Sequence, residues 1–312
     1  MLTLVARRLL LVVPNIVLLT FLLFASVTSF LGSPAAMMLG EDASPQAIRE
    51  LNERFGFDRP VLVQYLDWVW RALQGDFGRS FTTQQPVADA LLPRIPVTLE
   101  LALWAIALAV LVSTTVNTLP VARRLVGAFS STLSVLGITV PNFMLGISLI
   151  YVFSVHLRLL PSTGWVPWSE GVAAHLRHLV MPVATLSAFY VGSFSMVYRA
   201  EFRAVMQRLF IRVARAKGIS EARVAYGHGL PNAILPVITY VGVSLGQLAG
   251  GAVVTETVFS IPGTGRLFVD AIATRDFPVM LAVGILIIVA VMLMNLLADL
   301  LYTVVNPQIR LD

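Results

Sequence analysis

Residue types able to do chemistry are sparse in this chain and badly placed for it. Gly242-Val243-Ser244-Leu245-Gly246 spells the hydrolase elbow Gly-x-Ser-x-Gly. That motif needs a strand-turn-helix setting and a histidine base, and here it lies inside an apolar helical run. His156, His175 and His178 fall in one connector and His228 in another polar loop, none placed as a base. Only His175 and His178 have the close pairing that a weak metal contact would use. There is no cysteine, which excludes disulfides, thiolate metal sites and a cysteine nucleophile. The single lysine, Lys217, is followed by Gly218, whereas a P-loop needs Gly-Lys and then Ser or Thr to hold phosphate and magnesium. The chain is therefore expected to carry no catalytic residue, no metal and no cofactor. If it is a pump, another subunit binds the ATP and magnesium.

Three acids, Glu100, Glu256 and Asp299, fall in or near apolar runs, where a charge is expensive. Glu100 and Glu256 lie close to predicted span ends, so interfacial solvation is the expected account. Asp299 is placed to pair with an arginine of a polar loop or of a partner subunit. A proton relay through such acids would instead favour a proton-coupled secondary transporter.

The longest polar break in the second half of the chain runs from Arg199 to Ala233. It carries Arg203, Arg208, Arg212, Arg215, Lys217 and Arg223 against Glu201 and Glu221. A basic segment between apolar spans stays on the cytoplasmic side. Arg199 to Lys217 contains no Pro or Gly, so a helix is expected to continue out of the membrane through it. Gly218 then ends that helix, because glycine accepts the left-handed C-terminal conformation. Ser220 is placed to cap a short new helix, Glu221 to about Tyr226, with Glu221 in its first turn. Pro231 suits the first turn of the following helix. The expectation is helix, break, short helix, break, helix; the plainer alternative is an ordinary positive-inside loop.

The elements that must position this loop are apolar. The chain has 312 residues, 57% hydrophobic and 12% charged, with a mean hydropathy of +0.82. That is about half the charge of a typical soluble domain. A pI of about 10.0 raises the question of nucleic acid, but the basic residues sit in loops and no basic domain exists to meet phosphates. Arg7-Arg8 precedes an apolar run from Leu9 to about Leu31, too long for a signal-peptide core and long enough to span. Further spans are predicted over 98–119, 128–154, 179–198, 234–258 and 279–304, about six in all. Short helices are predicted at 45–55 and 61–74. The organisation read from this is a first segment 1–31, an extracytoplasmic region 32–96, and a five-helix core 97–312 whose cytoplasmic loop is 199–233. Both termini are expected inside, with Arg123 and Arg124 in another inside loop.

Gly242, Gly246 and Gly250 recur every four residues in the fifth span. They make one smooth helix face for close backbone approach. Close packing is the structural account; lining of a translocation path, with Gln247 as a polar contact, is the functional one.

The spacing Ala214-x3-Gly218, then eleven residues, then Leu230-Pro231 resembles the cytoplasmic "EAA" loop of ABC importer permeases. The wording Arg212-Val213-Ala214-Arg215-Ala216-Lys217-Gly218 is similar to the dipeptide, oligopeptide and nickel branch, with Arg212 in place of the loop's glutamate. Gly250 to Leu267, Arg275-Asp276-Phe277-Pro278, Asn295 to Tyr302, Gly32-Ser33-Pro34, Phe57-Asp58-Arg59-Pro60 and Gly75-Asp76-Phe77-Gly78 resemble the B-type permease subunits of dipeptide importers. Asn306-Pro307-Gln308-Ile309-Arg310 departs from the usual Asp-Pro-Arg ending. Pro141-Asn142-Phe143 and Trp68-Val69-Trp70 are similar to nickel permeases, so a nickel or metal-chelate cargo stays open.

The resemblance implies an all-α polytopic protein of type I ABC importer permease fold in a bacterial cytoplasmic (inner) membrane. It implies a heterodimer with a homologous second permease subunit, two ATP-binding subunits, an extracytoplasmic substrate-binding protein and surrounding lipid, and no nucleic acid. It also implies that the loop docks on an ATPase. The residues expected to carry coupling are Ala214, Lys217, Gly218, Ser220, Glu221, Arg223, Leu230 and Pro231.

Overall fold

Apolar runs of span length become helices, because only internally satisfied backbone survives in lipid. The computed structural model describes residues 2–30, 34–39, 44–119, 132 and 134–305. In chain order the helices are α1 (Leu2–Phe30), α2 (Pro34–Leu39), α3 (Pro45–Phe55), α4 (Val61–Leu73), α5 (Val87–Leu91), α6 (Arg94–Thr118) and α7 (Asn142–Leu149). There follow α8 (Val172–Met206), α9 (Leu209–Ala216), α10 (Glu221–Val224), α11 (Leu230–Ala233), α12 (Leu235–Val258), α13 (Thr264–Ala273) and α14 (Phe277–Val305). Among the described residues the only β-pairing is an isolated bridge between Arg79 and Pro86, so the protein is all-α.

Among the described residues, four stretches are long and apolar enough to cross a membrane: Leu10–Ser29, Val87–Thr118, Val172–Met206 and Phe277–Ala298. A fifth is a bent pair, Glu221–Ala233 with Leu235–Leu248, kinked by 46°. The place predicted for the third span is filled in its described part by a helix over 134–139 and by α7, which passes into a π-helix at Ile150–His156. The count of about six spans is compatible with these elements. Arg123 and Arg124 lie outside the described residues, as does Asn306 to Arg310, and nothing is described of the Asp299 side chain.

The chain forms two compact units. The first comprises residues 1–98 and 262–296. Its core is aromatic: Tyr65 of α4 is buried edge-on to Phe21 and Phe24, with ring centroids 5.3 and 5.8 Å away. The Tyr65 hydroxyl and Thr20 Oγ1 are 2.8 Å apart, so the buried phenol keeps a partner, as such groups require. Phe277, Met280, Leu281 and Val283 of α14 join the same core with Val87 and Leu91 of α5. Helices α3 and α4 match the two short helices predicted. Ser44 caps α3 by accepting from Ala47 N, and Gly56 ends it at φ 72°.

The second unit comprises residues 99–261 and 297–312. Its axis is α8, which buries Leu186, Phe194 and Tyr198 and retains Pro182 inside the helix. The Tyr198 hydroxyl is hydrogen-bonded to Thr118 Oγ1. His175 at the start of α8 is buried between Trp165 (edge-on, 4.9 Å) and Trp168 (stacked, 3.9 Å). Its Nε2 lies 2.9 Å from Glu100 Oε1, which also accepts from Trp168 Nε1 at 2.8 Å. Glu100 thus has side-chain partners beyond the interfacial solvation expected. The same expectation for Glu256 is corrected: its residue is fully buried, because α12 turns that position inward.

Candidate coupling loop

The loop 199–233 lies wholly within the second unit. The uninterrupted helix expected from Arg199 to Lys217 is not formed. Helix α8 stops at Met206, Gln207 caps it, and Arg208 is extended at ψ 154° before α9 begins. No Pro or Gly forces this break. Tertiary burial does: Ile211 and Ala214 of α9 pack with Val224 of α10, against Met206 and Ile219. A straight helix would carry Ile211 away from that cluster.

At its far end α9 closes as expected. Lys217 is the C-cap, and Gly218 follows at φ 77°. Gly218 N donates to Arg215 O at 2.9 Å and Ile219 N donates to Ala214 O at 3.3 Å. These two bonds, with Ile219 packed back on the cluster of Ala214, make a Schellman ending. A side chain at Gly218 would meet no atom within 4 Å; the restriction there is backbone conformation alone.

Ser220 takes the extended conformation of an N-cap, but its side chain makes no capping bond. The expected cap is therefore corrected to a conformational one. Glu221 faces Arg215 instead, with Nε to Oε1 at 2.7 Å and Nη2 to Oε2 at 3.2 Å. This two-pronged pair ties the start of α10 to the end of α9. The short helix is also corrected: α10 ends at Val224 and runs on as a π-helix, Ala225–Gly229, into α11. Pro231 lies in the first turn of α11, as predicted, and Leu230 precedes it. The sharp change of direction comes later, at Ile234 between α11 and α12.

Gly229 escaped the sequence reading of the site. An added Cβ there would lie 2.7 Å from Phe202 Cε2 and 3.1 Å from Met206 Sδ, so only glycine lets the π-turn press on α8. Four exposed apolar residues also escaped it: Leu209 (74% exposed), Phe210, Val213 and Tyr226. The same loop carries the exposed cations Arg212, Lys217 and Arg223. Exposed apolar residues interspersed with cations on a polar loop have the character of a protein-docking surface.

The glycine face of α12 is not uniform. A Cβ at Gly242 would lie 2.7 Å from Ala298 Cβ, so that glycine admits close helix approach. Gly246 is buried, whereas Gly250 and Gln247 are exposed, and Gly250 has no atom within 4 Å of its added Cβ. Ser244 is buried, and its hydroxyl donates to Tyr240 O at 2.8 Å; it is a helix residue, not an elbow nucleophile. Among the described residues no group of three or more His, Cys, Asp or Glu could hold a metal ion.

Comparison with known proteins shows the family of the chain. Residues 105–311 match the family described as binding-protein-dependent transport system inner membrane component. Residues 1–102 match the family described as binding-protein-dependent transport system membrane component, N-terminal. The chain is 37% identical, over all of both chains, to a putative peptide transport system permease protein of Brucella abortus (strain 2308). It is 38% identical to the glutathione transport system permease protein of Escherichia coli (strain K12), over 99% of each. A crystal structure of an amino acid ABC transporter with histidines matches 69% of this chain and 93% of its own, at TM-score 0.51 and 16% identity; that likeness shows the fold.

Proposed function

The chain belongs to the family of binding-protein-dependent transport inner membrane components, and from that premise we propose that it is the membrane subunit of an ATP-driven importer of short peptides. The peptide cargo follows the names of its relatives, which are peptide and glutathione permeases. In this reading the chain has no catalytic residue and binds no cofactor. It pairs with a homologous second permease subunit, two ATPase subunits and a substrate-binding protein. Both termini and the loop 199–233 face the cytoplasm, and residues 32–96 face the binding protein.

The observation that carries the coupling role is the exposed apolar face of α9 held at a fixed angle by Gly218. Leu209, Phe210 and Val213 enter a groove on an ATPase subunit, while Arg212, Lys217 and Arg223 meet its acidic rim. Nucleotide-driven movement of the ATPases then tips α9 and α10 together, because Arg215, Glu221 and the Ile211–Val224 cluster make them one piece. Glycine at 229 transmits that tilt to α8 through Phe202. Gly242 and Gly246 pack α12 beside the translocation path, where Gln247 and Gly250 are exposed.

Uptake of a labelled dipeptide by the reconstituted complex tests this. Uptake that needs both ATP and the binding protein is expected. Uptake driven by a proton gradient without ATP would overturn it, and nickel uptake in place of peptide would keep the importer and replace the cargo.

A further inference from the structure

The first unit contains a cavity that the coupling account does not use. Its volume is about 300 Å³, at the lower end for small-molecule sites. Helix α4, the loop 76–86 and the first turn of α14 enclose it. Its walls are aromatic: Trp68 and Phe77 have centroids 6.4 Å apart, and Phe81 stacks on Phe277 at 6.4 Å and 8°. At its mouth stand two cations, Arg71 and Arg79, and one carboxylate, Asp76, all exposed.

The cavity is preformed. The buried Asp276 carboxylate accepts from the Ser80 hydroxyl, from Phe81 N at 3.1 Å and from Thr82 N at 3.4 Å. Ser80 Oγ in turn accepts from Thr83 N at 2.9 Å. Gly78 turns the loop at φ 83°, and its N–H donates to Asp76 Oδ1 at 2.9 Å. The aromatic wall therefore stands ready before any ligand arrives. Arg79 spends one donor on Gln84 O and keeps the rest of its fork, and Arg71 makes no ion pair among the described residues.

We propose that this cavity binds a short unblocked peptide. The peptide carboxylate sits on Arg71 and Arg79, its ammonium group meets Asp76, and one apolar side chain lies between Phe81 and Trp68. The mixture of charges decides the class. A simple anion has no use for Asp76 or for the aromatic walls. A fatty chain has no use for three charges at the mouth. A zwitterion with an apolar side chain uses all of them, and guanidinium groups recognise carboxylates with both strength and direction. The inference rests on the peptide reading above and adds a place where cargo touches this subunit directly.

The test is calorimetric titration of leucyl-phenylalanine into the complete permease–ATPase complex in nanodiscs, without binding protein. Measurable binding is expected, weakened about tenfold or more by N-acetylation with C-amidation. The double variant Arg71→Gln/Arg79→Gln should lose a similar factor, and Arg71→Lys should lose part of it, because an ammonium keeps the charge but not the two-pronged guanidinium fork. Both arginines are exposed, so these variants should fold. No heat with the wild type, equal binding of the blocked peptide, or unchanged binding by the double variant would overturn the proposal. So would a double variant that binds peptide normally but no longer retains the binding protein, since the cavity would then be a docking seat. ATP-driven uptake with binding protein is measured in parallel. Uptake without calorimetric binding sinks this inference alone; absence of peptide uptake sinks the functional reading beneath it.

Discussion

The coupling loop, a succession of short helices, and the irregular loop 76–86 are each held in one shape, but by different forces. The coupling loop is held by neighbours in sequence. Its Schellman bonds, its Arg215–Glu221 pair and its Ile211–Val224 cluster all join residues within about four helical turns. Loop 76–86 has local bonds as well, such as Ser80 N to Gln85 O at 3.0 Å, but what anchors it to the rest of its unit is one buried carboxylate, Asp276, almost 200 residues away. Locally closed structure moves as a piece when pushed, whereas structure closed at long range is anchored to whatever supplies the far partner. The first suits a lever and the second suits a fixed pocket.

The largest effect expected from breaking this contrast is at Asp276. Asp276→Ala leaves the Ser80 hydroxyl and two backbone N–H groups without their acceptor, at a cost of about 3 kcal/mol. Thermal melts in detergent and limited proteolysis should show loop 76–86 opening while the coupling loop stays protected. Asp276→Asn keeps one acceptor oxygen and should lose less. Simultaneous loosening of both loops would show that they are not independently held.

The same contrast explains what was legible in the sequence. Gly218 was readable because a helix ending needs a positive φ, and glycine supplies it from within the segment. Helices α3 and α4 were readable as the short segments 45–55 and 61–74. The break at Gln207–Arg208 was not, because its cause is burial of Ile211 against Val224, a tertiary effect without a Pro or Gly to mark it. Ser220 looked like a capping side chain, yet it makes no capping bond, and the Ile211–Val224 cluster closes that junction with the Arg215–Glu221 pair beside it. The burial of Glu256, on α12, and the anchoring by Asp276, just before α14, depend on how distant segments pack, and local pattern does not encode that.

Next in size is Gly242→Leu. The glycine gives Ala298 its place, and overpacking such a contact typically costs about 1–3 kcal/mol. A lowered melting temperature of the complex, with Gly250→Leu nearly unchanged, is expected from the open surroundings of Gly250. Equal effects at both positions would mean that the glycine face packs uniformly after all.

The smallest effect belongs to the Arg215–Glu221 pair, half exposed on both sides. A double-mutant cycle with Arg215→Ala and Glu221→Ala should give a coupling of about 0.5 kcal/mol, smaller still at high salt because exposed charges are screened. A coupling of several kcal/mol would make the pair, and not the apolar cluster, the fastener of the lever.

The most direct test of the account is Gly218→Val. The site has room for a side chain, so any defect arises from its φ of 77°, which a β-branched residue adopts only with severe strain. Co-purification of the ATPase subunits and ATP-driven uptake are measured together, normalised to permease abundance. The account predicts normal membrane insertion, weakened ATPase recovery and little uptake, with Gly218→Ala milder. A Gly218→Val protein that assembles and transports like the wild type would contradict it and reduce the loop to a positive-inside tether.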